Sequence, residues 1–188
     1  FKLSSGISIN PFRMIDETLA EGDDDYLVDC LAMLTSIVSQ MARNETRLND
    51  TERGLIDQAV NLVWDTHGRD GTIDHVMQAL KGHEHPFAYD LATSLLPFAA
   101  KGTYGKFFLG DANLDLSADL TVFELSDLAT RVELRGVVLT SIMFIASQVM
   151  RRMDRAIPKP LIIDEAWQML KGGAMADFVE TYSRTCRK

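Results

Sequence analysis

The succession of segments between Leu120 and Glu165 constrains the fold more than any other feature of the chain. "LTVFELSDL" (Leu120 to Leu128) contains a short apolar run with Val122 and Phe123 that ends in Glu124, and it reads as a strand leaving a buried sheet. An apolar helical pattern follows from Arg135 to Asp154, then Pro158 and Pro160, then "LIIDE" from Leu161 to Glu165. Two short strands joined by a helix of about 20 residues pair in parallel, because a tight hairpin cannot contain such a crossover. The expected fold class is α/β, built on a parallel sheet.

The middle of the chain has a different texture. "GISINPF" (Gly6 to Phe12) alternates Ile7 and Ile9 with Ser8 and Asn10 before Pro11, as a short strand running into a turn does. After it, "EGDDD" (Glu21 to Asp25) reads as the solvated start of a helix, where acids complement the dipole. A calcium loop is the alternative, but the spacing of its ligands and its closing Glu are missing. Tyr26 to Arg43 carries an apolar stripe through Leu27, Cys30, Leu31, Leu34, Ile37, Val38 and Met41. Asn49 to Gly68 repeats the pattern, with Thr51 as the expected cap and Gly68 as the stop. Thr72 to Gly82 and Pro86 to Phe98 read as two shorter helices, which makes four helical patterns in succession. The expected division is the start of an α/β core over residues 1–15, an all-helical insertion over 16–103, and the main α/β core over 104–188. "AMADFVETYSRTCRK" supplies a last helix, with Phe178, Val179 and Tyr182 on one face.

Charge and composition remove several function classes. The net charge of −8 disfavours direct binding to a phosphate backbone. Cys30 and Cys186 are far apart and lack any paired spacing, so neither a disulfide framework nor a zinc ribbon has support. "GVVLTSIMFIASQVM" (Gly136 to Met150) is short for a bilayer crossing and includes Thr140, Ser141, Ser147 and Gln148, so a buried helix is expected and no transmembrane segment. No leader pattern opens the chain, and a reducing cytoplasm is the expected compartment. Phe1 at one end and "SRTCRK" at the other read as cut edges, and the expectation is a fragment of a longer chain.

Asp164 and Glu165 stand where the second apolar run would emerge, at the carboxyl end of a strand, and ligands of open α/β sheets bind there. A phosphate-splitting site needs such a pair: Asp164 to hold Mg2+, usually through water, and Glu165 to orient or deprotonate the attacking water. The plain alternative is an Asp that caps the following helix, with Glu165 in its first turn. The Gly-rich phosphate loop that would decide between them is missing. "GTYGKFF" (Gly102 to Phe108) has Gly105-Lys106 but spacing too short to wrap a phosphate, and reads as a turn before a strand. "LSSG" (Leu3 to Gly6) carries almost no information. His67, His75, His83 and His85 cluster in the helical part, but with no Cys nearby they favour ordinary surface histidines over zinc. Trp64 and Trp167 lack basic neighbours and read as core or interface residues.

"SINPF", "LTVFELSDLATRVELRGVVLTSIMFIASQVM" and "KPLIIDEAWQML", in this order with a helical insertion between the first two, resemble the cytoplasmic ATPases of type IV secretion and conjugation, the VirB4/TraC family, with the F-type conjugation branch nearest. The resemblance implies a partial RecA-like P-loop NTPase sheet with an all-helical insertion. It further implies ATP hydrolysis that powers pilus assembly and transfer of DNA or protein. By that resemblance "LIIDEA" is the Walker B motif, with Asp164 for Mg2+ and Glu165 as the catalytic acid. Arg184, Arg187 and Lys188 resemble a basic family stretch near the site, which implies contact with phosphate or with a neighbouring subunit's nucleotide; a solvated surface role is the plain alternative for any one of them. Other implied properties are a ring of subunits, partners among the inner-membrane components of the secretion machinery, and a cytoplasmic place at the bacterial inner membrane. The family's phosphate loop would precede Phe1, so the 188 residues alone are expected to be inactive. Two alternatives stay open: a non-catalytic interaction module of the same machinery, and a DNA-translocating motor of the same superfamily.

Overall fold

The computed structural model describes residues 7–43, 48–111, 113, 118, 120–125, 128, 130–152, 160 and 162. Among these residues the α-helices are α1 (Glu17–Gly22), α2 (Asp24–Ala42), α3 (Asp50–His67), α4 (Ile73–Lys81), α5 (Pro86–Ser94) and α6 (Val132–Arg152).

Each helix of the central part begins where a side chain satisfies amides that the first turn leaves open. Asp16 accepts from Thr18 N at 3.0 Å to start α1, and Asp23 accepts from Tyr26 N at 3.0 Å to start α2. The acidic run is thus split between the end of one helix and the beginning of the next, with Asp24 and Asp25 in the first turn of α2. The cap of α3 is Asn49 and not Thr51: Glu52 N donates to Asn49 Oδ1 at 2.9 Å and Asn49 N donates to Glu52 Oε2 at 3.0 Å. That reciprocal pair satisfies two amides at once, which a cap at Thr51 would not do. Gly68 ends α3 with φ +52°, as expected for a glycine stop. Thr72 caps α4, and His85 Nδ1 accepts from Phe87 N at 3.3 Å to open α5 behind Pro86. α5 stops at Ser94, and Leu96–Phe98 continues as a single 3-10 turn.

α2 packs along α3, α3 on α4, and α4 on α5, which closes back against α2 and α3. α6 packs along α2 and also touches the 3-10 turn Phe12–Met14. One apolar core runs from Ile9 and Phe12 through Leu34, Ile37, Ile56 and Leu91 to Val138 and Phe144. Full burial of side chains of this size stabilises by about 1.5–3 kcal/mol each. α6 is long and apolar enough, by length and composition, to cross a membrane, but about two-thirds of it (67%) is buried inside the protein. It is the core helix that the polar residues within it suggested.

Residues 7–15 form a strap across this bundle. Ile9 N donates to Phe107 O at 2.7 Å, Asn113 N to Ser8 O at 3.2 Å, and Ser8 N to Asn113 Oδ1 at 2.8 Å. Asn10 Nδ2 donates to Gly71 O at 3.3 Å, and Arg13 bridges Asp70 at 2.5 Å and Asp111 at 3.1 Å. Gly71 allows the close approach, since a Cβ there would sit 2.5 Å from the Phe12 ring.

Two of the expected strands fall on described residues, and neither is a strand among them. Ile7 to Asn10 pairs through isolated bonds and not a ladder, and Leu120 to Leu125 has a single bridge position at Glu124. In the second segment Phe123 and Leu125 pack on the core, while Leu120 is 81% and Val122 63% exposed. Only one of its faces is covered, whereas a strand in a parallel sheet is covered on both.

Candidate nucleotide site

Asp164, Glu165, Arg184, Arg187 and Lys188, which carry the sequence-based assignment, lie outside the described residues, as do Trp167, Cys186 and the expected final helix. Of the apolar run before the acids, Ile162 is described and is 87% exposed. It was expected to be covered on both faces, and it is not. Such a strand is buried by its neighbours in the sheet, and no paired ladder is present among the described residues.

The Gly102–Phe108 turn can be judged directly as a phosphate cradle, and it is unsuited to the role. Gly102 N donates to Ala99 O, Tyr104 N to Pro97 O, Gly105 N to Gly102 O, Phe107 N to Tyr104 O and Phe108 N to Gly105 O. A phosphate loop needs amides that point outward and have no protein partner. Here they are spent inside the turn. The glycines serve close packing: a Cβ on Gly102 would lie 2.2 Å from Leu96 O, and one on Gly105 2.0 Å from Ala99 O. Lys106 Nζ stands 5.0 Å from the centre of the Phe107 ring, a cation over an aromatic face.

The described element that leads to the acid pair is α6. Its contact with α2 is apolar apart from a short series of polar ties. Thr140 Oγ1 donates to Gln40 Oε1 at 2.7 Å, Tyr26 Oη to Gln148 Oε1 at 2.5 Å, and Gln148 Nε2 to Cys30 Sγ at 3.5 Å. At the exposed end Arg151 Nη2 meets Asp29 Oδ2 at 2.6 Å, and its guanidinium lies over the Tyr26 ring at 5.5 Å. Burial raises the pKa of both the Tyr26 hydroxyl and the Cys30 thiol, so both stay protonated at neutral pH and act as neutral hydrogen-bonding groups. These ties escaped the sequence reading. The available signal was Thr140 and Gln148, eight residues apart on one face of an otherwise apolar helix, with polar Gln40 buried in the stripe of α2.

Among the described residues no group of three or more His, Cys, Asp or Glu converges to hold a metal ion. His67 and His75 stack with ring centres 3.9 Å apart, which places His67, in the last turn of α3, against the first turn of α4. Burial foremost, then the charge of His67, pushes the pKa of His75 below the usual imidazole value, and its Nδ1 is enclosed without a hydrogen-bond partner. His83 and His85 are used locally: His83 Nδ1 accepts from His85 N at 3.1 Å and His85 caps α5. A shallow groove of about 310 Å³ between α2 and α3 is lined by Asp50, Arg53 and Asp57 above Ala32 and Gly54. Two carboxylates against one guanidinium make it a poor receptor for a triphosphate.

Residues 70–188 match the TraG P-loop domain family, and this range includes α4, α5, α6 and the "LIIDE" run. In overall fold the chain is similar to VirB4 of Thermoanaerobacter pseudethanolicus, with a TM-score of 0.73 and 21% identity, over 98% of this chain and 52% of that one. The fold is therefore of the P-loop NTPase class. A relative by sequence is the protein TraC of Escherichia coli (strain K12), 30% identical over 165 residues, which cover 80% of this chain and 19% of TraC. The chain belongs to the TraG P-loop domain family. It spans about a fifth (19%) of the curated relative and about half (52%) of the VirB4 chain.

Proposed function

We propose that, in the complete protein, this chain supplies the Walker B element of an ATPase that drives type IV secretion, conjugative pilus assembly and transfer of DNA or protein. The observation that carries the reading is the family match across residues 70–188, which contains adjacent Asp164 and Glu165 directly after an apolar run. The donor chemistry fits. Carboxylate oxygens suit Mg2+, which keeps most of its waters and takes one or two protein carboxylates beside phosphate. Asp164 would hold the ion, whose chemistry when bound is to neutralise charge on the phosphates. Glu165 takes the proton of the attacking water or orients it. Arg184, Arg187 and Lys188 complete the site from the same subunit or from a neighbour in a ring.

In this reading residues 1–15 and 104–188 belong to the RecA-like α/β core and residues 16–103 to a helical insertion. The protein works on the cytoplasmic face of the bacterial inner membrane with other components of the secretion machinery. The 188 residues contain no Gly-rich loop with Lys and Ser or Thr, so on their own they do not turn over ATP.

The test is Glu165→Gln in the complete protein. Turnover of ATP should fall by about 10²–10⁴-fold, the range for loss of a general base, while nucleotide binding persists. A variant that keeps normal turnover would falsify the assignment of Glu165. A second reading, a docking module for other secretion components, is favoured by the exposed Phe87, Tyr89 and Leu96 on and beside α5. Unchanged pilus formation and transfer in the Glu165→Gln strain would select it. Binding to DNA that weakens steeply with salt would instead point to a translocating motor.

A further inference from the structure

We infer that the groove between α2 and α3 is a docking site for a basic, amphipathic helix of a partner protein. The inference goes beyond the ATPase reading and is independent of Asp164 and Glu165. Two observations of different kinds meet at this groove, and the first is where the charge lies. Residues 16–103 hold sixteen Asp and Glu against six Lys and Arg, whereas the rest of the chain holds eleven against thirteen. The whole net charge of −8 therefore comes from the helical part, and such a field draws in cationic partners while it repels nucleic acid and anionic lipid. The second observation is shape. A cavity of about 310 Å³ opens between the two helices, lined by Ala32 and Thr35 of α2 and by Asp50, Arg53, Gly54 and Asp57 of α3.

Thr35 Oγ1 donates to Asp57 Oδ1 at 3.1 Å and Arg43 meets Glu52 at 3.4 Å, so α2 and α3 run antiparallel and the groove follows both. By helical spacing Asp25, Val28 and Ala32, all exposed, continue its α2 wall beyond Thr35. From Asp25 to Thr35 that wall is about 15 Å long, room for three turns of a docked helix. Gly54 leaves the floor open: a Cβ there would meet nothing within 4 Å, so no contact inside the chain calls for a glycine in mid-helix, where it weakens the helix. Above so low a floor the axis of a third helix can come close to α2 and α3. Val28 then meets its apolar face, and Asp25, Asp50 and Asp57 outweigh Arg53 in facing its Lys or Arg side chains. An extended segment fits less well, because the backbone groups of two helices are already paired internally and offer it no ladder.

The experiment uses the complete protein and, as probe, a fluorescent helical peptide of Ala, Leu and Lys about 20 residues long, with a twin in which Glu replaces Lys. Fluorescence anisotropy should show binding of the Lys peptide, weakened by salt, and none of the Glu peptide. Gly54→Gln fills the groove with a good helix former and should raise Kd about ten-fold. Asp50→Asn with Asp57→Asn should weaken binding by a similar factor, while Glu84→Gln with Asp90→Asn, which removes the same charge elsewhere on the helical part, should leave Kd within about two-fold. Equal losses from the two charge pairs overturn the inference, as does an unchanged Kd in Gly54→Gln, because binding then follows the overall field and not the groove. Should Gly54→Gln fail to fold, Ala32→Gln fills the groove from the other wall and carries the same test. Two further results also overturn it by replacing the occupant. If no peptide binds and Gly54→Gln dissociates a self-associated protein in sedimentation velocity runs, the groove belongs to a second copy; if Asp57→Cys resists maleimide in the complete protein, the protein's own chain covers it.

Discussion

Gly54 and Gly105 carry the same side chain for opposite reasons. Gly54 lies inside α3, and a Cβ there would meet nothing within 4 Å. A mid-helix glycine costs about 1 kcal/mol against alanine. Gly54→Ala should therefore raise the stability of the chain by about 0.5–1 kcal/mol, seen as a higher urea midpoint at unchanged slope. Gly105→Ala puts a methyl group 2.0 Å from Ala99 O and should cost about 2 kcal/mol or more by the same measurement. Equal effects at the two positions would contradict this account of the turn. His75 makes the second prediction at this scale. Because its folded pKa lies below the unfolded value near 6.5, the unfolded chain binds the proton more readily, so stability is intact above that pH and drains as pH falls below it. His75→Gln should flatten the decline in unfolding free energy between about pH 7 and pH 5. An unchanged slope would remove His75 from the explanation.

At the scale of elements, the helices with strong apolar stripes were legible and their ends less so. α2 and α3 were read to within two residues, since seven or more apolar positions agree on one face in α2 and the glycine at 68 stops α3. The start of α3 was misassigned because "NDT" offers three capping residues in a row. What separates them is Glu52, three positions after Asn49, which only the Asn49 cap can use reciprocally. Asn49→Ala should cost about 1 kcal/mol, while Thr51→Ala should cost little, in thermal unfolding followed by circular dichroism. α1, six residues long, is too short for periodicity to reveal and is held by its Asp16 cap. The polar positions of the α2–α6 ties stand out within apolar stripes, but their pairing could not be read, since Tyr26 and Gln148 are 122 residues apart and no local pattern pairs them.

At the scale of the molecule, the class was visible in three spaced motifs, whereas the expected sheet was not reproduced among the described residues. A strand's place depends on partners far along the chain, and an apolar run alone does not name them. The acid pair was read as a motif of moderate specificity, since an apolar run followed by an acid is common in α/β proteins, and both residues lie outside the described ones. Leu120, Val122 and Ile162 are exposed large apolar side chains. The isolated 188 residues should self-associate, more so when salt screens the net charge of −8. Val122→Lys with Ile162→Lys should reduce that association in sedimentation velocity runs. Association indifferent to these changes would place the sticky surface elsewhere, with Tyr89 and Leu96 the next to replace.

The strap of residues 7–15 has a consequence for how the protein is made. Its bonds from Ser8 to Leu109 and Asn113 close a loop of more than a hundred residues, with sequence separations of 101 and 105. Closing so large a loop is entropically unfavourable until the intervening helices have shortened it, so α2 to α5 form first and the strap docks afterwards. During synthesis Ser8 therefore waits for these partners until Asn113 has emerged, 105 residues after Ser8 itself was made.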